Sequence, residues 1–145
     1  MKRILNAGLF YTIIGLVAGV FYREFTKFNS FTDWSPLNVL HTHALALGMF
    51  GFLIVLILDK LFALSKDEKF NRFYYVYNIG LISTLLMMLA RGVLVTLNIN
   101  MTTGMDAAIS GIAGIAHIIL AAGIIRLFLI LRRTIDSEPK TEVYN

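Results

Sequence analysis

Four long apolar runs with almost no charge dominate the chain. They are Ile4 to Phe21, Leu37 to Leu58, Phe73 to Leu97 with Arg91 as its one charge, and Ala107 to Leu131 with His117 and Arg126. Each reaches the roughly 17–25 residues that a helix needs to cross the hydrocarbon of a bilayer. What remains of the 145 residues is two tails and three loops, too little for a soluble domain. The composition agrees: 57% of residues are hydrophobic and 15% charged, against roughly 45–50% and about 25% in soluble domains. The expected fold is all-α, an integral membrane up-down four-helix bundle. Its helices should lie near residues 4–22, 36–58, 73–97 and 107–131, forming one transmembrane domain over 1–135, with a polar, disordered tail at 136–145.

The first run follows Lys2 and Arg3, as in a signal peptide, but it ends in bulky Phe21 and Tyr22 and offers no small-x-small cleavage site. It is therefore read as the first transmembrane helix. Lys and Arg divide nine to two between the two sides. Both tails and the Lys60 to Arg72 loop hold nine, while the Tyr22 to Pro36 loop holds two and the Asn98 to Asp106 loop none. The positive-inside rule then places both termini in the cytoplasm of a multi-pass protein of the plasma membrane. In the first outer loop, Trp34 and its neighbouring Phe residues suit the membrane interface, and Asp33 or Ser35 could cap the second helix, with Pro36 in its first turn.

The net charge of +4 and pI near 9.5 come from residues flanking the spans and form no groove or stripe for nucleic acid. With no cysteine there is no disulfide, thiolate metal site, iron–sulfur cluster or c-type haem attachment. Any metal or haem ligand must be His, Met, Tyr or a carboxylate.

His41, His43, Arg91 and His117 lie inside the apolar runs, and all three histidines of the chain are among them. Ionisable groups at such depth normally face the bundle interior and are candidate functional residues. Counting about 1.5 Å per residue from the outer end puts His41 about 6 Å deep, His43 and Arg91 about 9 Å and His117 about 15 Å, one layer within boundary error. At about 100° per residue His41 shares a face with Ala44 and Gly48, and His117 has Ala113, Gly114 and Ala121 beside it. Small residues around two inward histidines would leave a slot for a flat ligand. The plainer alternative is that small residues serve helix packing and the histidines hydrogen-bond carbonyls. Gly8, Gly15 and Gly19 on the first helix are read as such a packing face, and Gly80, Thr84, Met88 and Arg91 as a mildly polar stripe on the third.

Zinc or copper would need three or four ligands, and His-x-His points its rings to nearly opposite sides of a helix. Haem needs two axial ligands from different helices. One of His41 and His43, together with His117 and with Arg91 for a propionate, supplies that set.

The run Leu37 to Gly48, reading LNVLHTHALALG, resembles the stretch around the low-spin haem ligand in the catalytic subunit of haem-copper oxidases and nitric oxide reductases. It is closer still to small stand-alone bacterial four-helix membrane proteins similar to that subunit. The resemblance implies haem b, makes His41 the axial-ligand position and gives His43 no inherited role. Depth favours His43, nearer His117; the less crowded face favours His41, which is taken as the expected partner of His117. Three histidines are too few for the oxidase's second haem and partner metal, so oxidase chemistry is excluded. No nucleophile–base pair, paired carboxylates or phosphate loop marks a conventional enzyme. The expected function is a b-type haem protein for electron transfer or haem and redox sensing. A copper- or zinc-binding accessory protein and a structural subunit without cofactor are the alternatives. Expected partners are the lipid bilayer and haem, with a homo-oligomer left open and no nucleic acid.

Overall fold

The computed structural model describes residues 1–137, and within them the chain is all-helical. The helices are α1 (Lys2–Phe28), α2 (Leu37–Phe62), α3 (Phe70–Thr96) and α4 (Thr103–Ser137). All four are long and apolar enough to cross a membrane. Most of the expected tail, residues 138–145, lies outside the described residues, and Asp136 and Ser137 close α4 rather than open a coil.

Each helix outruns its apolar core because polar residues continue the spiral, α1 through Arg23 to Phe28 and α4 from Thr103. The reversals begin where Ser30, Ala63 and Asn98 adopt positive φ, near 50° in each case. That left-handed residue stops the hydrogen-bond ladder and turns the chain. The first and third connections share one end of the molecule, the loop end; Met1 and the Ala63–Lys69 connection share the other, the termini end. At the loop end Ser35 takes the capping role: its Oγ accepts the Leu37 N–H at 3.3 Å and donates to Gly92 O of α3 at 3.1 Å. Thr96 Oγ1, also buried, lies 3.3 Å from Ser35 Oγ.

Glycines set the helix contacts. A Cβ on Gly8 would lie 3.6 Å from Phe52 Cβ, one on Gly15 2.6 Å from Leu45 Cγ, and one on Gly19 3.8 Å from His41 Cβ. The small face of α1 thus seats α2, as its sequence predicts. The α3–α4 contact is closer. A Cβ on Gly80 would come 2.6 Å from Leu120 Cα, and one on Gly123 2.8 Å from Tyr77 Cα, so there backbone meets backbone. Toward the termini end Tyr11, Phe52 and Tyr77 form an aromatic core, with Tyr11 stacked on Phe52 at 5.7 Å and Tyr77 edge-on to it at 5.5 Å.

α2 does not follow one helical pitch. Residues Ala44–Phe50 form a π-helical turn directly after His43. α4 packs on α3 along its length and meets α2 through the Gly51–Phe62 part; no comparable packing joins Leu37–Phe50 to α4 among the described residues.

Candidate functional site

His41 and His43 stand on the last turn of α2 before the π-helical segment, and His117 stands midway along α4. All three are partly or largely accessible. His43 Nδ1 lies 2.8 Å from Val39 O, four residues back on its own helix. His117 makes the same bond, Nδ1 to Ala113 O at 2.7 Å. A carbonyl only accepts, so Nδ1 is the donor in both rings, and in the neutral imidazole Nε2 then keeps its lone pair for a ligand. That is how a protein presents a metal-ligating histidine: the outer nitrogen is fixed by a backbone acceptor, which sets the tautomer and the ring orientation.

His41 is held differently. Its side chain lies over Gly19 of α1, and its Nδ1 is buried without a hydrogen-bond partner. The volume freed at Gly48, which the spacing assigns to a slot beside His41, is taken by Tyr11, whose Cβ and ring fill the place a Cβ would need. The π-helical turn between the two residues also alters the phase that a regular helix would give them. Gly114 differs: nothing lies within 4 Å of a Cβ placed there, nor at Gly111 one turn before. Gly111, Gly114 and His117 are all exposed, so this space is open surface of α4 and not the enclosed slot beside an inward histidine that the sequence leads one to expect.

Arg91 reaches from α3 to the start of α4, where it pairs with the Asp106 carboxylate and donates to Ser110 Oγ at 2.8 Å. Its charge is thereby met inside the chain. Asp106 escapes the sequence reading because it ends the loop of the uncharged-run count, whereas α4 begins at Thr103 and carries it on the first turn. An acid facing the span's single Arg was the available signal. Thr84 is fully buried with an unpartnered Oγ1, and Gly80 above it is spent on the α4 contact.

Two other features bear on ligand choice. An apolar groove of about 550 Å³ runs between α1 and α3 with Leu40 at its floor; Phe10, Phe21 and Leu89 are among its walls, and none of the three histidines lines it. It supplies no iron ligand. Among the described residues no three His, Cys, Asp or Glu side chains come together in a metal-holding group.

No curated protein and no solved structure matches the chain. A family model described as a protein of unknown function, DUF2871, matches residues 1–134. That match takes in the first three helices and all but the last three residues of α4, with both α2 histidines, His117 and the Arg91–Asp106 pair, and the chain belongs to this family.

Proposed function

We propose that this chain is a multi-pass membrane protein that binds one b-type haem between α2 and α4 and serves one-electron transfer. The observation that carries the reading is the shared state of His43 and His117, each with Nδ1 tied to a carbonyl and Nε2 free. They stand on two helices that are not packed on one another at that level. A porphyrin with a histidine on either face needs both conditions. On this ground His43 stands ahead of His41 as partner of His117, although the oxidase resemblance favours His41, whose Nδ1 has no orienting acceptor. Gly111 and Gly114 leave room beside His117.

The residues fit a group that needs two nitrogen ligands better than one that needs three or four, which favours haem over zinc or copper. When bound, haem would supply a one-electron couple. The chain's own part is to hold the two imidazoles in one tautomer, to keep water away with apolar helices, and to fix the α3–α4 distance through Arg91 and Asp106. Held by both histidines, the group would have no ligand position left for a gas, which favours electron transfer over gas chemistry.

Membrane insertion is supported by the four apolar helices and by large apolar side chains left exposed on their outer faces, such as Leu16, Val20, Ile118 and Phe128. Both termini are proposed to be cytoplasmic from the nine-to-two charge division. Single cysteines replacing Asn29, Lys69 and Asn100 test this in whole cells. An impermeant thiol reagent should reach the first and third; labelling at position 69 from outside would reverse the orientation.

The haem proposal is tested on protein purified from haem-supplied cells. The reduced-minus-oxidised spectrum should be that of a low-spin b-type cytochrome at about one haem per site. Absence of a Soret band, with stoichiometric copper or zinc instead, would transfer the site to the metal alternative.

A further inference from the structure

The π-helical turn gives α2 a joint between its histidines and its aromatic core. Gly51 N–H, which an α-helix would hand to Leu47 O, goes to Ala46 O instead. Leu47 O is thereby released, and Tyr77 Oη donates to it at 2.7 Å from α3. The tyrosine is confined on every side that matters. Phe52 meets its ring edge-on, Gly123 of α4 lies against its Cα, and a Cβ on Gly51 would stand 2.9 Å from its hydroxyl. A π-turn holds one residue more than an α-turn, so its removal would rotate the Leu37–His43 segment about 100° against Gly51–Phe62.

We propose that Tyr77 is the positioning residue for the histidine turn: by occupying Leu47 O it keeps Ala44–Phe50 in the π form and so fixes the direction in which His41 and His43 point. If the hydroxyl is absent, Leu47 O regains a partner most simply by taking back the Gly51 N–H, which restores the α pitch. The alternative, an unsatisfied buried carbonyl, carries a desolvation penalty. Tyr77 touches no ligand in this scheme and acts through the backbone. The significance for haem rests on the function proposed above, but the rotation itself does not need a cofactor.

The chain has no cysteine, so a disulfide can report the rotation. The Cβ separation of 3.8 Å between position 19 and His41 matches the mean for a disulfide, ~3.8 Å. The cofactor-free double variant Gly19→Cys/His41→Cys should cross-link readily under a mild oxidant. Adding Tyr77→Phe should slow cross-linking at least tenfold. In the otherwise unaltered chain Tyr77→Phe should keep a single folded size-exclusion peak, with a thermal midpoint lowered no further than that of Tyr11→Phe. Unchanged cross-linking would overturn the proposal. So would loss of cross-linking together with loss of the folded peak, because Tyr77 would then hold the whole fold and not the turn. A Tyr77→Phe protein that loses the cross-link satisfies this inference even if no haem is ever bound.

Discussion

The two ends of this helical bundle are built on different principles. Toward the termini end, side chains from α1, α2 and α3 interlock. Tyr11 is fully buried, stacks on Phe52 and donates to Asn78 Oδ1 at 2.9 Å, while Arg3 lies 3.6 Å above the Tyr74 ring. Toward the loop end, the contacts are Ser35 on Gly92, Arg91 on Asp106 and glycine seats on α1, and an apolar groove opens between α1 and α3. All three histidines belong to the second kind of region. A densely packed aromatic core leaves no volume for a ligand, so a site can exist only where the helices are held apart by a few specific ties.

That contrast can be broken most forcefully on α3. A Cβ at Gly80 would press on the Leu120 backbone, which cannot rotate away as a side chain could. Gly80→Ala should therefore cost about 1–3 kcal/mol as the helices are forced apart, read as a drop in the thermal midpoint in detergent. Arg91→Leu comes next. It removes the partner of the Asp106 carboxylate, and because the two side chains are 35% and 49% exposed the loss should be about 1 kcal/mol at most. The double variant Arg91→Leu/Asp106→Leu should recover part of that loss, because the uncompensated charge is gone. A double variant no better than the single would assign Arg91 a role other than pairing.

Tyr11→Phe keeps the stack on Phe52 and removes only the bond to Asn78. A loss of about 0.5–1.5 kcal/mol is expected, with haem content unaffected. Gly114→Ala should have the smallest effect on the fold, since a methyl there meets nothing and alanine is the better helix former by about 1 kcal/mol. It should leave the midpoint equal or slightly higher. A large loss at Gly114, comparable to that at Gly80, would mean that the open face of α4 is packed after all.

The four helices were legible because membrane-length apolar runs carry little ambiguity, and the α1 glycine face was legible from its spacing. The pairing of Gly80 with Leu120 and of Gly123 with Tyr77 was not, since spacing on one helix says nothing of which partner approaches. The π-helical turn left no mark: ALALGMF reads as ordinary helix, and only Tyr77 from another helix singles out Leu47 O. Hence the expected slot at Gly48 is the seat of Tyr11, and Arg91 answers to Asp106. The histidine layer was readable as unusual residues, but the tautomers that distinguish His43 from His41 depend on side-chain rotamers that no periodicity encodes.

The central claim is that His43 and His117 are a matched pair of ligands. Haem titration of the wild type and of His41→Ala, His43→Ala and His117→Ala, followed by the reduced-minus-oxidised spectrum, tests it most directly. Loss of the low-spin signature is expected in His43→Ala and His117→Ala, with His41→Ala retaining it. Loss in His41→Ala with retention in His43→Ala would return the ligand to the position the oxidase resemblance assigns, and retention in all three would contradict histidine ligation altogether.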